Sequence, residues 1–304
     1  MKDKVFWQKP NHGLLNNLGY SQVDMHYHSR YSDGSASIGA IIKRAKKKGI
    51  GVAITDHNEV AGAIEAYHND EGVLVIPGIE VSCIEGPHIL LYFYNPKDLL
   101  SFFENFLKVK KNGNPYMATN ARAREVLKEA EKYKCVKIAA HPYGYMTANR
   151  GLIKAVKNGF VEASVLRKLD GVEVLCGAMN RYLNKKSVLY AMKNKMIYTG
   201  GSDGHCLFQL GQVVTVCKGK TVKEFLDNLK KRGNNVVGKE SKSIPKMLSA
   251  GRCVSAHMHY AYPTVKIQTK MFYSRTVHFR RKMAGKILHN GLTKRVSKIS
   301  LRKL

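Results

Sequence analysis

Histidine and carboxylate residues recur where short apolar segments of the sequence end. Asp24-Met-His-Tyr-His28 begins the series, and Asp203-Gly-His205 closes it. Because side chains of a strand alternate between its two faces, His26 and His28 are expected on one face, next to a carboxylate. Two imidazoles and a carboxylate could form half of a metal site. An isolated His-x-His pair is weak evidence, since surface strands often contain one.

Other residues of the same types strengthen the metal interpretation. They are Asp33, Asp56, His57, Glu80, His88 and His141. Buried imidazole and carboxylate groups need partners, and metal ions would satisfy all of them together. The alternative is a set of separate core histidines bonded to the backbone, and it would have to hold at each strand end. Asp24 and Asp56 precede histidines and could either orient an imidazole or cap a strand end. Mixed nitrogen and oxygen ligands suit Zn, Mn or Fe.

The elements that position these residues alternate along the chain from Val23 onward. Ser37 and Gly49 are suited to begin and end an amphipathic helix, and Ile50–Thr55 is an apolar segment typical of a buried strand. Thr221 and Glu224 form a capping-box pattern. Further strands are predicted at 73–76, 88–94, 136–140, 172–175, 196–199 and 213–217, and helices at about 58–68, 97–110, 117–133, 161–168 and 180–194.

This alternation predicts an α/β fold built on a parallel sheet. His28, His57, His141 and Asp203 each follow a different strand, at its carboxyl end. Sites assembled from many strand ends converge most naturally at the mouth of a barrel. The sequence therefore favours a TIM-like (β/α) barrel with eight strands or fewer.

The charge of the chain is strongly positive and uneven. There are 51 Lys and Arg residues against 22 Asp and Glu, a net charge of +29, and no acidic residue follows Glu240. We expect three regions: an N-terminal extension (1–21), a barrel (22–240) and a basic C-terminal tail (241–304). The tail mixes basic and aromatic residues, which favours binding of polyanions such as nucleic acid. A solvated extension without a specific role is the alternative.

No apolar segment is long enough to span a bilayer, and the N-terminus lacks the apolar stretch of a signal peptide. These features predict a cytoplasmic protein without a transmembrane segment.

Six short segments, taken together and in order, resemble the motifs of the PHP (polymerase and histidinol phosphatase) family. They are Asp24–His28, Ser32–Gly34, Ile54–His57, Pro77–Glu80, Ala140–Pro142 and Gly201–His205. The resemblance covers about residues 22–240 and implies a distorted (β/α)7 barrel that binds three divalent ions. It implies that the first ion is held by His26, His28, Glu80 and Asp203, the second by Glu80, His88 and His141, and the third by Asp33, His57 and His205.

The resemblance also implies a metal-dependent phosphoesterase, with Glu80, Asp203 and His205 as catalytic residues. Arg30, Arg150 and Arg181 are candidate contacts for substrate phosphate, because a guanidinium can bond two oxygens at once. The charge favours a nucleotide or a nucleic-acid end as substrate. A small-molecule phosphatase, such as a histidinol-phosphate phosphatase, and a non-catalytic nucleic-acid-binding scaffold are the alternatives.

Overall fold

The computed structural model describes residues 4–144, 150–241, 247, 251, 253–255 and 258–277 of the 304-residue chain. Its strands are β1 (Val5–Phe6), β2 (Ser21–Tyr27), β3 (Gly51–Ile54), β4 (Val75–Ser82), β5 (His88–Phe93), β6 (Cys135–Ala139), β7 (Gly171–Cys176), β8 (Ile197–Gly201), β9 (Val213–Cys217) and β10 (Asn235–Gly238). Its helices are α1 (His12–Asn17), α2 (Ile38–Lys48), α3 (Ala61–His68), α4 (Pro96–Phe102), α5 (Ala123–Ala130), α6 (Leu152–Lys157), α7 (Arg181–Lys193) and α8 (Val222–Lys230). Residues 261–277 form a further helix, here called the tail helix.

The strands form one curled sheet in the order β1-β10-β9-β2-β3-β4-β5-β6-β7-β8. Beyond β8, the chain bonds to β2: the Asp203 amide donates to the His26 carbonyl at 2.9 Å, and the His28 amide donates to the Gly204 carbonyl at 2.9 Å. These bonds bring the two sides of the sheet together at the carboxyl ends of the strands. The fold is therefore α/β with a distorted TIM-like barrel, as the sequence predicted.

Two strands depart from the all-parallel arrangement that the alternation predicted. β5 pairs antiparallel with both β4 and β6. Only Cys83–Pro87 connects β4 to β5, and a parallel connection would need a crossover of a dozen or more residues. The prediction of a wholly parallel sheet was wrong for β5, and also for β9, which pairs antiparallel with β2 and β10.

An irregularity in β2 controls which side chains reach the barrel interior. The register between β2 and β3 shifts between Asp24 and Tyr27. Val23 and Met25 belong to the apolar cluster inside the barrel, here called the inner cluster. Tyr27 instead packs in the apolar cluster between the sheet and the surrounding helices. Since an extra residue reverses the alternation, His26 also turns to the interior. The barrel thus has an apolar floor below a polar mouth.

Helices cover the outside of the sheet, as amphipathic sequences should. α2 buries Ile38, Ile41, Ile42 and Ala45, and it ends at Gly49 in the left-handed conformation with φ 63°. The Ser37 hydroxyl accepts a hydrogen bond from the Ala40 amide, so both predicted ends of this helix are observed. α8 is the exception: it begins at the predicted capping box and packs against the inner cluster inside the barrel through Phe225, Leu226 and Leu229.

Several predicted helices are shorter or of a different kind. Of the helix expected at 117–133, only α5 is present. Residues 112–120 form a loop that packs against the tail helix. Residues 163–168 form a 3-10 helix, and residues 103–107 after α4 form a π-helix. α6 is present where no helix was predicted.

The tail helix packs on the barrel. Its Ile267 and Met271 are buried in a small cluster with Ile84 and Ala118. The amide of Asn114 donates to the hydroxyl of Thr264 at 2.9 Å. Most of the predicted basic tail, including residues 242–246 and 278–304, lies outside the described residues. Within the described part of the chain, no helix is both long and apolar enough to cross a membrane.

Candidate metal centre

All nine residues predicted as metal ligands lie in one buried cluster at the mouth of the barrel. His26 and His28 come from β2 and the residue after it, Glu80 from β4, and His88 from the first position of β5. Asp33, His57, His141, Asp203 and His205 come from loops that follow strands. The nine residues are His26, His28, Asp33, His57, Glu80, His88, His141, Asp203 and His205, and none is more than 7% exposed.

Glu80 is the centre of this cluster. Its Oε1 lies 3.0 Å from His88 Nδ1 and 3.1 Å from His141 Nε2. Its Oε2 lies 2.8 Å from His57 Nδ1 and 3.6 Å from His28 Nε2. One carboxylate therefore faces imidazoles from four different segments. Such a bridging position is suited to a carboxylate shared between cations.

The nitrogen and oxygen atoms fall into four groups that could each hold a metal ion. The groups are His28, Asp33, His57 and His205; His26, His141 and Asp203; His26, His28 and Glu80; and His57, Glu80 and His88. The set predicted for the third ion falls within the first group, which adds His28. The sets predicted for the other two ions are divided among the remaining groups, and His57 lies near both Asp33 and Glu80.

The donor chemistry of the cluster fits divalent cations. His28 Nδ1 is buried and has no hydrogen-bond partner among the described residues, while Asp33 Oδ1 lies 3.8 Å away. Native proteins seldom bury a polar atom in this way without a partner. A cation between the imidazole and the carboxylate would satisfy both groups. Borderline metals such as Zn, Mn and Fe accept this mixture of imidazole and carboxylate ligands.

Two of the cluster residues have unusual backbone conformations. Asp203 has φ 49° and His141 has φ 26°, in a region that residues other than glycine rarely adopt. Gly201, just before Asp203, must lack a side chain, because a Cβ there would lie 2.4 Å from the backbone nitrogen of His26. The close approach of β8 to β2 and the turn at Asp203 together direct this carboxylate into the mouth. Strained conformations of this kind cluster at functional sites.

Hydrogen bonds fix the orientation of two imidazoles. His26 Nδ1 lies 3.1 Å from Glu173 Oε1, so its Nε2 faces Glu80 at 3.4 Å. His205 Nδ1 lies 3.1 Å from the backbone carbonyl of Asp203, so its Nε2 faces Asp33 at 3.2 Å. In each ring, the outer nitrogen donates to a fixed oxygen and leaves the lone pair of Nε2 directed into the cluster.

Glu173 was not predicted as a site residue. It is buried in β7, and its other oxygen accepts a 2.7 Å hydrogen bond from the His141 amide. A carboxylate within an otherwise apolar strand, Gly-Val-Glu-Val-Leu, is the sequence signal that could have revealed it. It connects the positions of two cluster histidines.

Asp24 and Asp56 fix the backbone around the cluster instead of orienting imidazoles. Asp24 accepts hydrogen bonds from the Ser202 amide, the Ser202 hydroxyl and the Gly211 amide, all at 2.7–2.8 Å. Asp56 accepts from Ser29 and Ser32. Burial raises the pKa of both carboxyls to about 6, although these hydrogen bonds oppose the change. Of the two roles considered for these residues, the contacts support strand-end capping.

The cluster keeps its carboxylates negatively charged despite their burial. Burial alone would raise the pKa values of Asp33, Glu80 and Asp203, but the neighbouring imidazoles hold all three well below the ordinary range. Burial and nearby imidazoles lower the pKa of His28 to about 4. The mouth therefore offers charged oxygens and at least one neutral imidazole to a cation.

The three arginines predicted to bind phosphate have different surroundings. Arg30 and Arg150 are exposed. Burial lowers the pKa of His57, Glu80 and Asp33 raise it by more, and the charge of Arg150 opposes that rise. Arg181 instead bonds Glu240 through two nitrogens, at 2.7 and 2.8 Å, and stacks on Trp7 at 4.4 Å. These contacts give Arg181 a structural role, and its contact with phosphate stays a prediction.

A residue beyond the barrel also reaches the cluster. The thiol of Cys253 lies near the imidazole of His205 and affects its pKa, and burial raises the pKa of that thiol. The sequence predicted no contact between the segment after Glu240 and the barrel, because nothing local indicates where such a segment returns. One side of the mouth is therefore bordered by the C-terminal region.

Comparison with known proteins identifies the family. The sequence profile of the PHP domain matches residues 24–231, which span all nine cluster residues. The chain belongs to the PHP domain family. An uncharacterized protein of Methanocaldococcus jannaschii is 30% identical over 203 residues, which cover 62% of this chain and 98% of that protein.

Several solved structures share the fold at lower sequence identity. Endonuclease Q, in complex with a 27-mer duplex carrying an abasic lesion, has a TM-score of 0.59 at 21% identity and covers 73% of this chain and 60% of that one. Endonuclease Q of Pyrococcus furiosus has a TM-score of 0.56 at 21% identity, over 71% and 57% of the two chains. A two-domain protein of Bacteroides vulgatus with a predicted PHP-like metal-dependent phosphoesterase has a TM-score of 0.54 at 17% identity, over 79% and 70%. These similarities establish the shared barrel fold.

Proposed function

We propose that this PHP protein is a metal-dependent phosphoesterase that hydrolyses a phosphate ester of a nucleotide or of a nucleic-acid end. The observation that carries the proposal is the convergence of nine buried histidine and carboxylate side chains on Glu80 at the barrel mouth. These side chains would hold three divalent ions, with Glu80, Asp203 and His205 as the residues nearest the reacting atoms.

The bound cations would supply an acidified water as nucleophile and would neutralise charge on the phosphate. The chain itself supplies orientation. Glu173 accepts from His26 Nδ1, and the Asp203 carbonyl accepts from His205 Nδ1, so neither ring can rotate its Nε2 out of the cluster. Asp24 and Asp56 hold the loops that carry Asp203 and Asp33.

Arg150 is the first candidate for contact with the phosphate of the substrate. It lies at the edge of the buried cluster, where it is exposed to solvent and still acts electrostatically on His57. The backbone of Arg150 is held in position, because the His88 amide donates to the Arg150 carbonyl at 2.9 Å. Arg30, exposed in the loop after β2, is the second candidate. A guanidinium at such a position would stabilise phosphate oxygens as their charge increases.

The nucleotide or nucleic-acid substrate is supported by charge. The net charge of +29 favours the approach of polyanions, and the endonuclease Q structure with bound duplex has the same barrel fold. A small-molecule phosphatase remains the alternative, because the metal cluster by itself does not select the alcohol that leaves.

A substrate panel tests the proposal. The chain, loaded with Mn, Zn or Mg in turn, is assayed with nucleotides, sugar phosphates, histidinol phosphate and end-labelled oligonucleotides. We expect phosphate release from a nucleotide or an oligonucleotide end. The Asp203→Ala and His57→Ala variants should lose at least about a hundredfold in rate, because each removes a proposed metal ligand. Activity on histidinol phosphate alone would contradict the nucleic-acid assignment.

Metal analysis separates an enzyme from a non-catalytic scaffold. The scaffold alternative predicts that the cluster binds fewer than two transition ions per chain and that no substrate of the panel is hydrolysed. A complete set of buried ligands argues against that alternative.

A further inference from the structure

A second cavity lies outside the metal centre, between α1, α2 and the start of β9. Its volume is about 620 Å³, and four cationic residues line it: Lys9, Arg44, Lys48 and Lys239. We call this cavity the basic pocket. None of its lining residues belongs to the nine-residue cluster.

The positive charge of the basic pocket is unbalanced. Glu240 is the acidic residue among the described lining residues. Its two oxygens already accept from Arg181, at 2.7 and 2.8 Å, and one of them also accepts from the Asn184 amide at 3.1 Å. Its charge is therefore shared with a guanidinium outside the pocket wall.

Arg44 provides an independent indication of an anion-binding site. Its Nε atom is buried and has no hydrogen-bond partner among the described residues. Arg44 and Lys48 are four residues apart on α2, so the two cations share one face of the helix. Burial, and then the charge of Arg44, lower the pKa of Lys48. Because a buried donor atom is normally hydrogen-bonded, an anion bound there would relieve both the repulsion and the unpaired donor.

The rim of the basic pocket adds an aromatic surface. Phe208 is 41% exposed although its ring is large and apolar, and it lines the cavity. Ser241 and Gln212 bond each other at 2.7 Å across the same rim. A ligand with phosphate groups and a flat base would match the cationic wall and the exposed ring together.

We propose that the basic pocket binds the phosphates of a nucleotide, with Arg44 and Lys48 as the main phosphate contacts and Phe208 against the base. The pocket is a second site, whose ligand could be a free nucleotide or one unit of a strand. It shares a wall with the metal centre, because Gly211 lines the pocket and its amide donates to Asp24 at 2.8 Å. Binding there does not require hydrolysis at the metal centre.

Binding measurements on the metal-loaded chain test the proposal. The probes are inorganic pyrophosphate, adenosine diphosphate and an eight-nucleotide single strand. Trp7, the one tryptophan of the sequence, stacks on the Arg181 that bonds Glu240, so its fluorescence reports locally. Calorimetry on the same samples counts binding events if the fluorescence does not change.

A matched pair of double variants assigns the signal to the pocket. Arg44→Gln/Lys48→Gln changes the two pocket cations, and Lys43→Gln/Lys47→Gln removes the same charge from the exposed side of α2. The first variant should weaken diphosphate binding by roughly tenfold or more, whereas the second should not. Thermal unfolding should show that the first variant folds, since it removes a repulsion.

Three results would overturn the proposal: equal affinities in both double variants, no saturable binding event beyond those of the metal centre, or pyrophosphate binding as tight as nucleotide binding. The last would remove the role of Phe208. The tighter binding of either adenosine diphosphate or the single strand decides whether the ligand is a free nucleotide or one unit of a strand. Absence of phosphate release in the substrate panel would contradict the proposed function and leave this site unaffected.

Discussion

At the scale of single residues, Glu173 shows how a carboxylate that was not predicted as a ligand can position residues of the candidate metal centre. It touches the His26 ring with one oxygen and the His141 backbone with the other. The arrangement fixes the tautomer of His26 and the position of a strained loop at once. Residues of this kind act through the ligands that they position.

We therefore predict that Glu173→Gln lowers metal affinity by about 10- to 100-fold, the usual effect of losing a partner of a ligating histidine. The amide can still accept one hydrogen bond, but it no longer carries the charge that favours the His26 Nδ1 proton. Metal titration followed by calorimetry measures the change. Glu162→Gln, an exposed carboxylate outside the cluster, is the control. Unchanged affinity in Glu173→Gln would show that the contact is only structural.

Residues also set the limit of what the sequence could predict about the site. The spacing of His26 and His28 predicted one shared face, and both do enter the cluster. β2 also has a register shift, which lets Val23 and Met25 face the barrel interior together with His26. The sequence did not predict this shift. Cys253 could not be placed, because its contact with His205 joins segments almost fifty residues apart.

At the scale of secondary-structure elements, local signals predicted the ends of helices well. Ser37, Gly49 and Thr221 act as predicted, because each forms its capping contact within a few residues. Strand direction was harder, since apolar periodicity is the same in parallel and antiparallel strands. The strands predicted at 73–76 and 88–94 left eleven residues between them, whereas β4 continues to Ser82 and only five residues separate it from β5.

The β4–β5 hairpin contains an acidic group that should make stability depend on pH. Burial raises the pKa of Glu85 to about 7, and hydrogen bonds from the backbone lower it less. The Ala123 amide donates to its side chain, and Arg275 of the tail helix donates to its backbone carbonyl. In the unfolded chain this carboxyl titrates near 4.5. The folded state thus binds more protons between these two values, and stability falls as pH rises through this range.

We predict that Glu85→Gln removes this pH-dependent loss of stability. Between pH 4.5 and pH 8, the unfolding free energy of the natural chain should fall relative to that of the variant by an amount on the order of 3 kcal/mol. Denaturant unfolding of both proteins at several pH values measures the difference. The glutamine can still accept from the Ala123 amide. Glu104→Gln, at an exposed position, should show no such difference from the natural chain. The prediction would be contradicted if the unfolding free energies of the natural chain and of Glu85→Gln changed with pH in parallel.

At the scale of the whole molecule, the barrel and the basic C-terminal region are connected. The tail helix buries Ile267 and Met271 against the loop before α5, so deletion of everything after Glu240 would also uncover an apolar surface. The effect of charge on nucleic-acid binding is therefore better tested with single side chains than with truncation. The described part of the tail helix exposes Tyr262 by 81%, close to the exposed Lys266 and Lys270.

Lys266 and Lys270 should contribute to the salt dependence of nucleic-acid binding. For a single strand, each phosphate contact contributes about 0.7 to the slope of log affinity against log salt concentration, so Lys266→Gln/Lys270→Gln should lower the slope by about 1.4. Fluorescence anisotropy of a labelled oligonucleotide over a range of salt concentrations measures it. Lys43→Gln/Lys47→Gln on α2 removes the same net charge at another surface. If only the first pair lowers the slope, the tail helix contacts the strand, whereas equal effects would mean that net charge alone attracts nucleic acid and that this helix is no binding surface.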